Sequence, residues 1–161
     1  MTDNIEASVP PSKVLVVDDN IPNLELLCAY VEEIEGVTTL TATNGLEALE
    51  KVASENPDLV LLDVMMPKMS GFEVCKQIKA DPATRDIPVI MVTALNELGD
   101  IERGEESGTD DFLSKPVNRV ELVTRVRSLL RLRHLKKQLD NTLARSSCLL
   151  YTSPSPRDLS T

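Results

Sequence analysis

The chain has 161 residues, room for one domain with extensions but not for two full domains. A formal net charge of −9 and a pI of about 4.6 argue against nucleic acid as a partner, because neutralising phosphates requires clustered Lys and Arg. With aromatics at 2% and no Trp, any core must be built from Val, Leu, Ile, Met and Ala.

Residues 1–12 are polar, end in Pro10 and Pro11, and are expected to form a disordered leader. KVLVVDDN follows, a short apolar run of the kind found in a strand buried on both faces of a parallel sheet. Leu24, Leu27, Val31 and Ile34 then share one helical face, with Asn20 and Asn23 as capping residues. VTTLTA at 37–42 is more polar and suits an edge strand. A second helical face is expected from Leu46, Leu49, Val52 and Ala53. LVLLDVMMP at 59–67 is another buried strand; Pro67 and Gly71 supply turn chemistry, and Met65, Met66 and Met69 fill loop and core. Val74, Cys75 and Ile78 share the face of the next helix. PVIMVTA at 88–94 and the weaker DFLSKP at 111–116 complete five strands. Asp110 and Asp111 read as solvated.

Strands alternating with helices of about ten residues mean βαβ units with right-handed crossovers and helices on both faces. The expected fold is α/β: a doubly wound, five-stranded parallel sheet in the order 2-1-3-4-5, flavodoxin-like, with five helices. The last helix begins near Arg119. Leu122, Val126 and Leu129 can pack on the sheet, which closes a domain at 13–131. Leu132, Leu135, Leu139 and Leu143 continue at spacings of three and four among Arg131, Arg133, His134, Lys136 and Lys137. Residues 132–145 are therefore expected to be a protruding amphipathic extension that pairs with another chain or leads into an output domain, with His134 a solvated surface residue. Residues 146–161 are rich in Ser, Thr and Pro, lack periodicity, and are expected to be a disordered tail of non-native character.

Cys28, Cys75 and Cys148 have no metal-ligand spacing and suit reduced thiols. No apolar run approaches the ~20 residues of a membrane span, and the N-terminus lacks signal-peptide order. Cytoplasmic localisation away from membranes is the expectation.

In a doubly wound sheet, ligands sit outside the carboxyl ends of the strands where strand order reverses. Asp18 and Asp19, Asp63, Thr93 and Lys115 occupy the ends of the first, third, fourth and fifth strands. Three carboxylates brought together repel one another unless a cation compensates, and all-oxygen ligation is what Mg²⁺ prefers. A carboxylate can also act as a nucleophile toward phosphorus. Phosphoryl transfer depends mainly on positioning and charge neutralisation, for which Lys115 and Thr93 are suited.

Together, VLVVDDN, LLDVMMPKMSGFEVC, VIMVTA and DFLSKP resemble the receiver domain of bacterial two-component response regulators, over about residues 12–131. The resemblance implies Asp63 as phosphoacceptor and Mg²⁺ or Mn²⁺ held by Asp18, Asp19, Asp63 and the backbone carbonyl of Met65. It also implies Thr93 as switch hydroxyl, Lys115 before a cis Pro116, and Phe112 as the aromatic that swings inward, here without a phenolic hydroxyl. The implied phosphodonor is a sensor histidine kinase, a phosphotransfer protein or acetyl phosphate. The implied readout is a change in the surface of the fourth helix, fifth strand and fifth helix that drives homodimerisation through the last helix or engages an output partner. The chain would catalyse only its own phosphorylation and dephosphorylation, so it is not expected to be an enzyme. The sequence is most similar to the subgroup of receivers that precede a cyclic-di-GMP-making GGDEF domain. A flavin-binding flavodoxin would need a phosphate-cradling loop where this chain has Asp-Asp-Asn-Ile-Pro; a phosphate-independent adaptor would not need the acids, Thr93 and Lys115.

Overall fold

The computed structural model describes residues 8–94 and 108–150. In chain order they form β1 (Ser8–Val17), α1 (Ile21–Val31), β2 (Glu35–Ala42), α2 (Gly45–Glu55), β3 (Leu59–Asp63), α3 (Gly71–Ala80), β4 (Val89–Thr93), β5 (Asp111–Ser114) and α4 (Arg119–Leu150). The strands make one sheet in the order β2-β1-β3-β4-β5, every pair parallel. The expected fold and strand order are therefore observed. Four helices lie among the described residues; the fifth, expected between β4 and β5, falls on residues 95–107, outside them.

Side-chain alternation along the inner strands sorts the core into two clusters, one on each face. Leu15, Val17, Val60, Leu62, Val89 and Met91 pack against Ala48 and Val52 of α2 and Val74, Cys75 and Ile78 of α3. Val14, Val16, Leu59, Leu61, Ile90 and Val92 pack against Leu24, Leu27 and Val31 of α1 and Leu122, Val126 and Leu130 of α4. Burial on both faces is why these strands read as unbroken apolar runs. β2, at the edge, is mostly exposed or half-buried, as its Thr-rich sequence anticipates.

Side-chain caps start the helices. Asn20 Oδ1 accepts the Asn23 N–H (3.0 Å), Asn44 Oδ1 that of Glu47 (2.8 Å), and Asn118 Oδ1 that of Glu121 (3.0 Å). Asn23 thus contributes its backbone N–H to the first cap, and Asn20 is the capping side chain.

Three expectations are corrected. On α2 the expected Val52 is buried and Leu49 packs beside it, but Gly45 and Ala48 complete the buried face, while Leu46 is 63% exposed and Ala53 is exposed. Small residues let α2 approach α3 and the loop before it closely: a Cβ on Gly45 would come within 2.9 Å of Met69 and Val74 side-chain atoms. Residues 8–12 are not a free leader but strand backbone, pairing from Ser8 with Glu35 across an irregularity before Ser12. β3 first meets β1 at Val14, so Pro10 and Pro11 lie where β1 has a neighbour on one side only, as proline in a sheet requires. Lastly, the start of the 132–145 extension does not protrude: Arg133, Lys136 and Lys137 reach Asp58 and Asp86 beneath the sheet, and the α4 backbone stays helical past Arg145 to Leu150.

Candidate functional site

The strand order places the ends of β1, β3, β4 and β5 side by side. β1 gives way to Asp18 and Asp19, β3 ends on Asp63, β4 on Thr93, and Lys115 follows β5. Backbone bonds fix these ends: Asp18 N–H donates to Ala42 O (3.2 Å), Val64 N–H to Val92 O (3.0 Å) and Lys115 N–H to Thr93 O (2.8 Å). The Lys115–Pro116 peptide is cis, as the resemblance implies.

Asp18, Asp19 and Asp63 each offer a carboxylate oxygen, all within 4.8 Å of one another; Asp18 and Asp63 are buried and Asp19 is exposed. Lys115 Nζ lies 3.0 Å from Asp63 Oδ1, an ion pair reaching a side chain only 2% exposed. Asp18 Oδ1 accepts the Asn20 N–H at 2.9 Å. Asp18 Oδ2 is buried without a hydrogen-bond donor, and the buried Asp63 Oδ1 has the Lys115 ammonium beside it. Burial pushes the Asp63 carboxyl up from its usual range, the Lys115 ammonium opposes this and the Asp18 charge adds to it. Burial likewise raises Asp18, against the Asn20 N–H and Lys115, with Asp19 adding to the rise. An orphaned Asp18 oxygen within an all-oxygen set of three carboxylates, which one ammonium does not neutralise, fits a hard divalent cation.

Thr93 is 7% exposed at the end of β4, one strand from Asp63. Phe112, opposite Met91 on β5, is half-buried and packs against the cluster beneath α2 and α3. The Met65 side chain points to solvent at 58% exposure while its backbone N–H faces the Asp63 carboxylate; Met66 is buried and Met69 packs beside it. A groove of about 470 Å³ opens beside the acids between α1 and the Lys115–Val117 segment, lined by Asp18, Asn23, Leu26, Tyr30, Lys115 and Pro116.

Some residues play parts that sequence reading assigned otherwise. Asp110 is not free in solvent: its Oδ2 accepts the Val89 N–H (2.7 Å) and pairs with Lys79 Nζ (2.9 Å). Asp111 pairs with Arg125 at 2.6 Å. His134 Nε2 lies 2.8 Å from Ser12 Oγ, so it is a tether and not a solvated ring. The Asn20 N–H and the close seat of Gly71, whose N–H donates to Val64 O (2.9 Å), were not anticipated as parts of the site. The glycine four residues beyond Pro67 was the available signal for the second.

The family model described as response regulator receiver domain matches residues 14–127. The Caulobacter vibrioides response regulator PleD is 50% identical over 120 residues, 74% of this chain and 26% of PleD, so the chain spans about a quarter of that relative's length. The polar-differentiation response regulator DivK of Brucella anthropi is 39% identical over 120 residues, 74% of this chain and 97% of DivK. Among solved structures, the Francisella response regulator 1452 receiver domain superposes with a TM-score of 0.67 at 34% identity, covering 74% of this chain and 96% of that one. The Vibrio cholerae chemotaxis protein CheY4 does so with a TM-score of 0.69 at 30% identity, covering 73% and 98%.

Proposed function

The chain belongs to the response regulator receiver family, and from that premise we propose that Asp63 accepts a phosphoryl group and that its modification switches the surface formed by β5, α4 and the segment before β5. The observation that carries this reading is the buried Asp63 carboxylate, held 3.0 Å from the Lys115 ammonium and within 4.8 Å of two further carboxylates at the sheet's carboxyl edge. In the step, an Asp63 carboxylate oxygen attacks phosphorus, a phosphorus–oxygen bond forms, and the bond to the donor breaks with its electron pair leaving on the donor. From a sensor histidine kinase or phosphotransfer protein the leaving group is an imidazole; from acetyl phosphate it is acetate. Asp18, Asp19 and Asp63, with the Met65 carbonyl, would hold Mg²⁺ or Mn²⁺, whose charge would offset that of the phosphoryl oxygens.

Lys115 neutralises charge beside Asp63, and the Asn20 N–H holds one oxygen of Asp18. Thr93, next door on β4, would donate its hydroxyl to the phosphoryl group on Asp63, and Phe112 on β5 is the residue whose packing would follow. The groove beside the site, with Leu26 about half exposed at its α1 wall, is where a donor protein would approach. Homodimerisation through α4, or engagement of an output domain such as a cyclic-di-GMP-making one, is the readout proposed for the full-length protein. No helix among the described residues is long and apolar enough to cross a membrane, which fits a cytoplasmic switch.

Intact-mass spectrometry after incubation with acetyl phosphate tests the reading. The wild type should gain about 80 Da, one phosphoryl group, only with Mg²⁺ present, the gain being lost on mild base treatment, and Asp63→Asn should gain nothing. A gain in Asp63→Asn equal to that of the wild type would remove Asp63 from the role.

A further inference from the structure

Beneath the sheet, at the edge opposite the phosphoacceptor, acidic side chains meet the second half of α4. The apolar packing of α4 ends at Leu130, which is fully buried. One turn further on, the contacts become polar. Asp58, just before β3, is 8% exposed; its Oδ2 accepts the Lys13 N–H at 2.9 Å. Its Oδ1 lies 3.5 Å from Arg133 Nε and 3.3 Å from Lys137 Nζ. Arg133 and Lys137 are four apart, so they share one helix face. Arg133 Nη1 also donates to Asp86 O (3.1 Å), and Lys136 Nζ lies 3.4 Å from Asp86 Oδ1. His134 Nε2 meets Ser12 Oγ at 2.8 Å.

A frayed surface helix does not bury a guanidinium, since desolvating a charge without a partner is costly. Here the Arg133 side chain is only 9% exposed. Leu132, Leu135 and Leu139, each about 60% exposed, lie off this face. We propose that Asp58 and Asp86 form a clasp that straps residues 131–137 of α4 to the lower edge of the sheet. Because α4 begins four residues after Lys115 and is gripped at the far edge, it moves with the receiver body as one lever, and freeing its exposed leucines to reorient requires opening the clasp. The clasp stands on these contacts alone; only its opening by phosphorylation rests on the proposed function.

Hydrogen exchange followed by mass spectrometry on the full chain tests this. In the wild type, amides 132–140 should be protected. In Arg133→Met/Lys137→Met they should exchange about tenfold faster or more, with β1 and β3 amides unchanged. Asp58→Asn should match that pattern; if its β3 amides also accelerate, the variant has lost its fold and the double variant decides. Unchanged exchange at 132–140 in the double variant overturns the clasp, as does a wild type in which these amides are already unprotected. The same samples are treated with acetyl phosphate and Mg²⁺. A retained mass gain with lost protection confines the defect to the clasp. Failure of the wild type to gain mass would sink the phosphoacceptor reading and leave the clasp standing. Faster exchange at 132–140 in the phosphorylated wild type supports opening of the clasp, and unchanged exchange overturns that opening.

Discussion

A Cβ added to Gly71 would stand 2.4 Å from the carbonyl oxygen of Asp63 and 2.9 Å from the Val64 Cα, both backbone atoms that cannot step aside. Gly71→Ala should therefore shift the end of β3 and destabilise the fold by about 2 kcal/mol or more, read as a lower urea midpoint; an unchanged midpoint would mean α3 can slide outward at little cost. Asp63 carries the opposite liability. Its buried carboxylate is pushed upward by burial and by the Asp18 charge, so Asp63→Asn should raise Tm in metal-free buffer. About 1 kcal/mol of relief corresponds to roughly 2–4 °C. Millimolar Mg²⁺ should then raise the Tm of the wild type and not that of Asp63→Asn. Equal metal shifts in both proteins would place the cation elsewhere. The site residues were legible in sequence because each sits at the end of an apolar run, and a strand's end fixes its place in a parallel sheet. The Asn20 N–H was not, since a backbone donor leaves no mark in the residue type.

At the scale of elements, the strands were easy to read and the helix faces less so. Runs such as LVLLD announce burial on both sides. On α2, Leu49 and Val52 were read correctly but the first turn was not, because Leu46 outweighs Gly45 and Ala48 on any hydrophobic count, while packing against Met69 and Val74 favours the smallest residue there. The polar contacts of α4 were out of reach: Asp58 and Lys137 are 79 residues apart, and nothing local pairs them. His134 belongs to this contact set. Burial holds its imidazole below the usual range; Asp58 pulls it back up, and Lys137 and Arg133 press it further down. The folded chain therefore takes up this proton less readily than the unfolded chain, and stability falls as pH drops below about 6.5, the ordinary histidine value. Between about pH 8 and pH 5.5 the Tm of the wild type should decline relative to that of His134→Gln. A pH-independent difference would show a ring that titrates as it does in the unfolded chain.

For the molecule as a whole, Leu132, Leu135 and Leu139 form an exposed stripe at helical spacing on α4. If self-association through α4 is the readout, Leu132→Ser/Leu135→Ser/Leu139→Ser should be monomeric in sedimentation equilibrium at concentrations where the phosphorylated wild type associates, with phosphoryl uptake unchanged. Association surviving in the triple variant would move the contact to another surface.

The two-sided core also bears on how the chain is made. After β2 joins β1, the strands β3, β4 and β5 add one after another at the same growing edge, in the order in which they leave the ribosome. The face beneath α2 and α3 acquires both of those helices before β4 is synthesised. Among the described residues, the opposite face has only α1 until Leu122, Val126 and Leu130 emerge. At about 5–20 residues per second, the stretch from Val92 to Leu130 takes roughly 2–8 s. Throughout that interval Ile90, Val92 and Leu61 lack the α4 part of their cluster, so a nascent chain stalled before Arg119 would present an incompletely covered apolar sheet face to chaperones and to its neighbours on the same message.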